Sequence, residues 1–187
     1  MTKQELEALR LAAEGMYHAD SEHDACGVGL IGEVSGKPTR RVVDAAIDAL
    51  SSIWHRGAVD ADGKTGDGAG LLLDLPVDFF TSAIHASGHD VRDGRLAVGV
   101  IFLPRTDLGG QDACRTIVEA ELIRAGLFVY GWRQVPVDIS VIGRKARETR
   151  PEIEQVLIAG PEPDVQSIDE FEKQLYVVRR RIERRIV

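Results

Sequence analysis

The sequence predicts an α+β fold with layered sheets, and three observations lead there. Strand-like and helix-like segments alternate along the 187 residues without a regular βαβ rhythm. No GxGxxG opens a helix, which sets the chain apart from dinucleotide-binding folds. The apolar share of 44% and charged share of 28% fit a globular chain long enough to bury one core.

Each element has its own warrant. Glu5 to Gly15 has helical spacing, with Leu6, Leu9 and Ala13 on one face, and a polar stretch through Asp20, Glu22, His23 and Asp24 follows as a linker. The small apolar run Cys26-Gly-Val-Gly-Leu-Ile-Gly reads as a buried strand, closed by a turn at Gly36-Lys37-Pro38. Val43, Ile47 and Leu50 place a helix over Arg41 to Trp54, with Gly57 beyond its end. Gly57 to Gly70 is a Gly/Asp-rich loop, Leu71 to Leu75 a strand, and Asp78 to Ala86 a short helix. Leu96 to Leu103 is a strand stopped by Pro104, and Asp112 to Ala125 an amphipathic helix. Leu127 to Val135, Asp138 to Ile142 and Ile153 to Ile158 read as strands. Gly160-Pro-Glu-Pro breaks the chain before the closing segment Asp169 to Val187.

Composition excludes several classes. A net charge of −7 argues against general affinity for nucleic acid, which an excess of Lys and Arg would drive. The basic cluster Arg179, Arg180, Arg181, Arg184 and Arg185 is read as a solvated or partner-covered helical face instead. No run of 18 apolar residues could span a membrane, and the acidic N-terminus is no secretion signal, so a cytoplasmic location is expected. Two cysteines, Cys26 and Cys114, make neither a disulfide framework nor a CxxC metal pair.

Cys26 stands out by its setting. Its thiolate is the best nucleophile a side chain offers near neutral pH, and Gly27 and Gly29 leave its flanks open. Were the chain cut before Cys26, the freed α-amine, with a pKa near ~8, could act as the base. An isolated cysteine in an apolar run is more often a core residue; the polar leader directly before a Cys-Gly-Val-Gly strand turns the balance. Cys114, on a helix, has no such setting and is read as structural.

The second constellation is WHRGAVDADGKTGDGAG, residues 54–70. Its glycines allow backbone N–H groups to converge on a polar ligand. It is no P-loop, lacking the Gly-Lys-Ser/Thr step, and no calcium loop, lacking the spacing and the Glu. Standing alone it would be a solvated hairpin-like loop; Arg56, beside Gly57, is the residue suited to pair with a carboxylate or brace an active-site loop. Tyr130 and Trp132, two apart on a strand, read as packing and interface residues and not as a ligand cage.

These residues carry a resemblance. Cys-Gly-Val-Gly with His55-Arg56-Gly57 downstream resembles the class II glutamine amidotransferases of the N-terminal-nucleophile hydrolase group. The strings EHDACGVG, WHRGAVDADGKTGDGAG, FFTSAIHASGH, VYGWRQVPVD and TRPEIEQVLI resemble the large-subunit family of glutamate synthases, from Asp20 to Val187. The resemblance implies an αββα-type sandwich, here incomplete, with residues 1–25 as a propeptide and 26–187 as the N-terminal portion of the amidotransferase domain. It implies that Cys26 attacks the amide carbon of glutamine, and that Arg56, Gly57, Asp67 and Gly68 support the substrate pocket. For the full-length protein it implies FMN, a 3Fe–4S cluster, an ammonia tunnel to a 2-oxoglutarate site, the remainder of the large subunit and a small flavin/iron–sulfur subunit as partner. No cofactor, metal, nucleic acid or membrane is implied for this segment.

The chain also departs from that pattern. It contains no asparagine, so the family's Asn-Gly oxyanion hole cannot lie within it. One such donor is worth ~3 kcal/mol in a transition state. The resemblance also implies a later arginine and aspartate that grip the substrate, so a truncated, inactive piece is expected, and incomplete folding is expected to leave its leader uncut. Two other readings stay open: an N-terminal-nucleophile amidohydrolase of another amide, and a non-catalytic assembly module.

Overall fold

The computed structural model describes residues 2, 3, 5–7, 10, 27–53, 57–162 and 164–186. They fall into two compact units, Met1–Gly57 and Ala58–Val187.

In the first unit, helix α1 spans Arg40–Ser52 and buries no side chain. A turn closes through Gly36 N–H donating to Glu33 O at 2.9 Å, with Gly36 at φ 68°, where glycine carries no Cβ penalty. The expected strand from Cys26 does not form over its described residues, 27–32. Val28 is 95% and Leu30 98% exposed. Its apolar composition suits a strand, but among the described residues no ladder pairs with it, and a strand without a partner has no reason to persist. The expected Glu5–Gly15 helix is helical at Glu5, Leu6, Glu7 and Arg10; its other positions lie outside the described residues, as does Trp54 at the end of the expected second helix.

The second unit is α+β. Its elements run α2 (Val77–Ala86), β1 (Leu96–Leu103), α3 (Leu108–Arg124), β2 (Phe128–Gln134), α4 (Arg144–Thr149), β3 (Glu152–Ala159) and α5 (Ile168–Ile186). The sheet is antiparallel in the order β1-β3-β2. Period-two alternation sends Ala97, Val156 and Ile158 to one face, against Val118 and Leu122 of α3 and Phe171 and Val178 of α5. The opposite face carries Tyr130, Leu157 and Ala159, covered by Phe80 and Ile84 of α2. Gly99 makes the first face fit, since a Cβ there would lie 2.8 Å from Val156 Cγ1.

Polar ties fix the helices on that core. Arg115 of α3 clamps Glu154 of β3 through Nε at 2.8 Å and Nη2 at 2.6 Å, a bidentate pair that raises the guanidinium pKa. The Glu121 carboxylate, buried between α3 and α5, accepts from Arg185 and Arg124 at 2.7 Å each. The Arg185 bond is the main reason its pKa is lowered, and burial opposes it. Ser167 and Glu170 form a reciprocal cap at the start of α5. Arg179 and Arg180 pair with Glu183, so the basic cluster is largely engaged in ion pairs within this unit.

Two further expectations fail. Leu71–Leu75 forms no strand, and Leu72 is 103% exposed while Leu75 packs beneath α2. Asp138–Ile142 is a turn: the Asp138 carboxylate accepts from Ser140 N–H at 2.9 Å and Ser140 Oγ at 2.6 Å, a local bond that competes with any ladder. Helix α4 follows there unannounced, too short to show a periodic stripe. A second sheet is not found among the described residues, where the one further β-bridge joins Val59 to Gly66.

Candidate functional site

The Gly57–Gly70 segment folds as a small hairpin, as its turn residues dictate. Asp60 N–H donates to Thr65 O at 2.7 Å and Gly63 N–H to Asp60 O at 2.9 Å, with Gly63 at φ 70°. The ends are closed by Asp67. Its backbone N–H donates to Ala58 O at 3.2 Å, and its carboxylate accepts from Ala58 N–H at 2.8 Å. Asp67 thus fixes the backbone at Ala58, directly after Gly57. Gly66 is needed for close approach, because a Cβ there would sit 2.9 Å from Ala58 O.

Asp62 organises the tip. One carboxylate oxygen accepts from Lys64 N–H at 3.0 Å and Thr65 N–H at 2.7 Å, and the other from Thr65 Oγ1 at 2.6 Å. The Thr65 bonds, then that of Lys64, hold its pKa far below the usual carboxylate range. This carboxylate is an anchor and no proton donor.

The tip is also held from outside. Lys145 Nζ pairs with Asp60 Oδ2 at 2.6 Å. Lys145 N–H reaches Asp62 Oδ2 and Ala146 N–H reaches Thr65 Oγ1, each at 3.5 Å. Sequence reasoning placed Asp62 and Thr65 in the 54–70 loop without giving either a role, and missed Gly143 and Lys145 as their partners. An Asp-x-x-Thr turn is a visible local signal, but Thr65 and Ala146 lie 81 positions apart and nothing in the sequence pairs them.

Of the site residues expected from sequence, Cys26 and Arg56 lie outside the described residues. Gly57 is exposed at a bend, and Gly68 is exposed with nothing within 4 Å of the place a Cβ would take. Beside Cys26, Gly27 would bring a Cβ into ordinary contact with Ile53 at 3.6 Å, and Gly29 has open space. Cys114 is partly buried on α3, in keeping with a structural thiol. A groove of about 700 Å³ between β1 and α5, lined by Ala97, Ile101, Leu175 and Ile182, includes none of the expected site residues.

Among the described residues no group of three His, Cys, Asp or Glu side chains could hold a metal ion, and no helix is long and apolar enough to cross a membrane. Two cysteines in 187 residues do not supply the thiolates that an iron–sulfur cluster requires.

Comparison with known proteins gives this loop its context. The family model for class II glutamine amidotransferases matches residues 26–187. The glutamate synthase [NADPH] large chain of Azospirillum brasilense is 51% identical over 179 residues, covering 96% of this chain and 12% of that protein. Ferredoxin-dependent glutamate synthase 1 of Arabidopsis thaliana is 39% identical over 96% of this chain and 11% of its own length. The glutamate synthase [NADPH] large chain of Bacillus subtilis is 35% identical over 91% of this chain and 11% of its own. The chain therefore spans about a tenth of the length of these relatives. Its match from Cys26 onward, with the Gly/Asp-rich hairpin inside it, establishes that the chain belongs to the class II glutamine amidotransferases.

Proposed function

We propose that this chain is the glutaminase part of a glutamate synthase large subunit, and that Cys26 is its nucleophile. The observation that carries this reading is the family match, which begins at Cys26 itself. In the reaction, removal of residues 1–25 frees the α-amine of Cys26 to take the thiol proton. The thiolate adds to the amide carbon of glutamine, and the resulting oxyanion needs donors aimed at it. Collapse breaks the C–N bond, the amine returns the proton, and ammonia leaves. Water then attacks the γ-glutamyl thioester, giving glutamate and restoring the thiol.

Arg56, Gly57, Asp67 and Gly68 support the substrate pocket in this reading. Asp67 has a physical means of doing so, since its bonds to Ala58 fix the hairpin that carries Gly68. With no asparagine in the chain, an Asn-Gly oxyanion hole must come from further sequence, so the 187 residues alone are inactive. The same sequence would complete an αββα sandwich. In the complete cytoplasmic enzyme the ammonia aminates 2-oxoglutarate, with FMN and a 3Fe–4S cluster bound elsewhere and a small flavin/iron–sulfur subunit as partner.

The test uses a full-length large chain carrying these residues. The Cys26→Ala variant should lose glutamine-dependent glutamate formation, and 6-diazo-5-oxo-norleucine should label Cys26 in the parent. Unchanged glutamine-dependent activity would sink the proposal. Labelling by another amide in place of the glutamine analogue would indicate a different amidohydrolase, and no labelling at all a non-catalytic module.

A further inference from the structure

We propose that Gly143, with Asp62, Thr65 and Lys145, forms a latch that positions the 58–67 hairpin for glutamine binding. This rests on the glutaminase reading above and adds positioning residues to it.

Gly143 is the key to the geometry. It caps α4 at φ −68° and ψ 168°, extended backbone that any residue adopts, so its conformation does not call for glycine. Its surroundings do. A Cβ at this position would lie 2.1 Å from Thr65 Oγ1, 2.4 Å from Thr65 N and 2.5 Å from Asp62 Oδ2. All three atoms belong to the hairpin tip, and two of them are joined by the Thr65–Asp62 hydrogen bond. Glycine is required because the backbone at 143 lies directly against the Asp62–Thr65 turn.

The contact is polar and shared by several groups. Asp62 accepts from Lys64 and Thr65 within the hairpin and from Lys145 across the contact, leaving its carboxylate fully engaged. Thr65 Oγ1 donates to Asp62 and accepts from Ala146 N–H. Lys145 adds its ion pair with Asp60. From this tip the hairpin runs through the Val59–Gly66 bridge to the two Ala58–Asp67 hydrogen bonds. Gly143 is thus linked through the hairpin's single β-bridge to Asp67, which precedes Gly68; both are residues assigned to the pocket.

The experiment is steady-state glutaminase kinetics and hydrogen exchange on the full-length large chain. Gly143→Ala and Thr65→Val should each raise KM for glutamine about tenfold or more while kcat stays within about twofold, the pattern of lost uniform binding. Exchange in peptides covering 58–67 should quicken in both. Thr65→Ser keeps the hydroxyl and should restore the parent KM, which separates the latch from a general packing defect. Ser140→Ala, in the adjoining turn, should leave both readouts unchanged. If Gly143→Ala does not fold, the Thr65→Val and Thr65→Ser pair decides. Faster exchange with unchanged KM would make the contact purely structural and overturn the proposal, as would unchanged exchange. Failure of the glutaminase reading is separate: it would show as activity surviving Cys26→Ala.

Discussion

Tyr130 and Trp132 stand two positions apart on β2 yet face opposite sides of the sheet. The register passes from Val129 opposite Ile158 to Gly131 opposite Leu157, so Tyr130 is the extra residue of a bulge. Tyr130 joins the face covered by α2, where its hydroxyl accepts from Arg92 N–H at 2.9 Å. Trp132 joins the face covered by α3, where its indole N–H donates to Glu119 at 2.7 Å. Gly131 makes this possible at φ 140°, a region open to glycine. The space around it is empty, so conformation alone demands glycine here, the reverse of Gly143. Gly131→Ala should cost ~1–3 kcal/mol and alter the near-UV signal of Trp132, read by denaturant unfolding and circular dichroism. An unchanged midpoint would mean the bulge relaxes without penalty.

Gly160 shows the same logic in the core. A Cβ there would lie 2.5 Å from two ring atoms of Phe171, which is 2% exposed. Gly160→Ala must displace that ring, and destabilisation of ~1–3 kcal/mol is expected. Phe171→Ala should cost more, ~3–5 kcal/mol, through lost burial and the cavity left behind. Urea titration of both variants would reveal the order, and equal losses would contradict it.

Asp62→Asn tests the hairpin tip through pH. The folded-state pKa of Asp62 is lowered from its ordinary 3.8, so its stabilising effect is complete above that value. It declines as pH falls below 3.8 toward the lowered pKa. The stability gap between the parent and Asp62→Asn should thus be constant from neutral pH to about 5 and shrink in stronger acid. Unfolding midpoints taken at several pH values would check this; a gap that widened on acidification would contradict it.

Gly68→Ala separates a structural glycine from a pocket glycine. With open space at this position, stability should change by no more than about 0.5 kcal/mol. If Gly68 borders the bound glutamine, the same variant in the full-length chain should still raise KM for glutamine. A KM equal to the parent's would remove Gly68 from the pocket.

Arg115→Ala addresses the clamp on β3. Removing the guanidinium leaves Glu154, 9% exposed, without its bidentate partner, and a loss of about 3 kcal/mol is expected. Pairing the change with Glu154→Leu should recover much of it, as measured by thermal unfolding. A double variant no better than the single one would argue against the unpaired charge as the cause.

The second unit was legible where residues speak for themselves. The run Leu96–Leu103 forms its strand over the limits its composition and Pro104 set, and Gly160 ends β3 as expected. The class of the protein was legible from Cys26 and residues 54–70, because motif strings survive without any knowledge of packing. Other features depend on partners. The apolar segments 27–32 and 71–75 have the composition of strands, and composition does not reveal whether a ladder is available. The bulge puts Trp132 on the face opposite Tyr130, which a spacing of two on a strand does not reveal. The Gly143 contact joins segments about eighty residues apart, and a glycine needed for its missing side chain looks like any loop glycine.

The position of β3 bears on how the chain is made. Both β1 and β2 are paired with β3 in the described sheet, and β3 is the last strand in sequence. A ribosome that has released the first 151 residues has therefore delivered two strands with no ladder to join. Only when Glu152–Ala159 emerges do both close, one on each side. At about 5–20 residues per second, β1 waits several seconds in an unpaired state. During synthesis the helices α2 and α3 are the local structures able to shelter it, and substitutions that weaken them should reduce yield from the ribosome more than they reduce the stability of the finished fold.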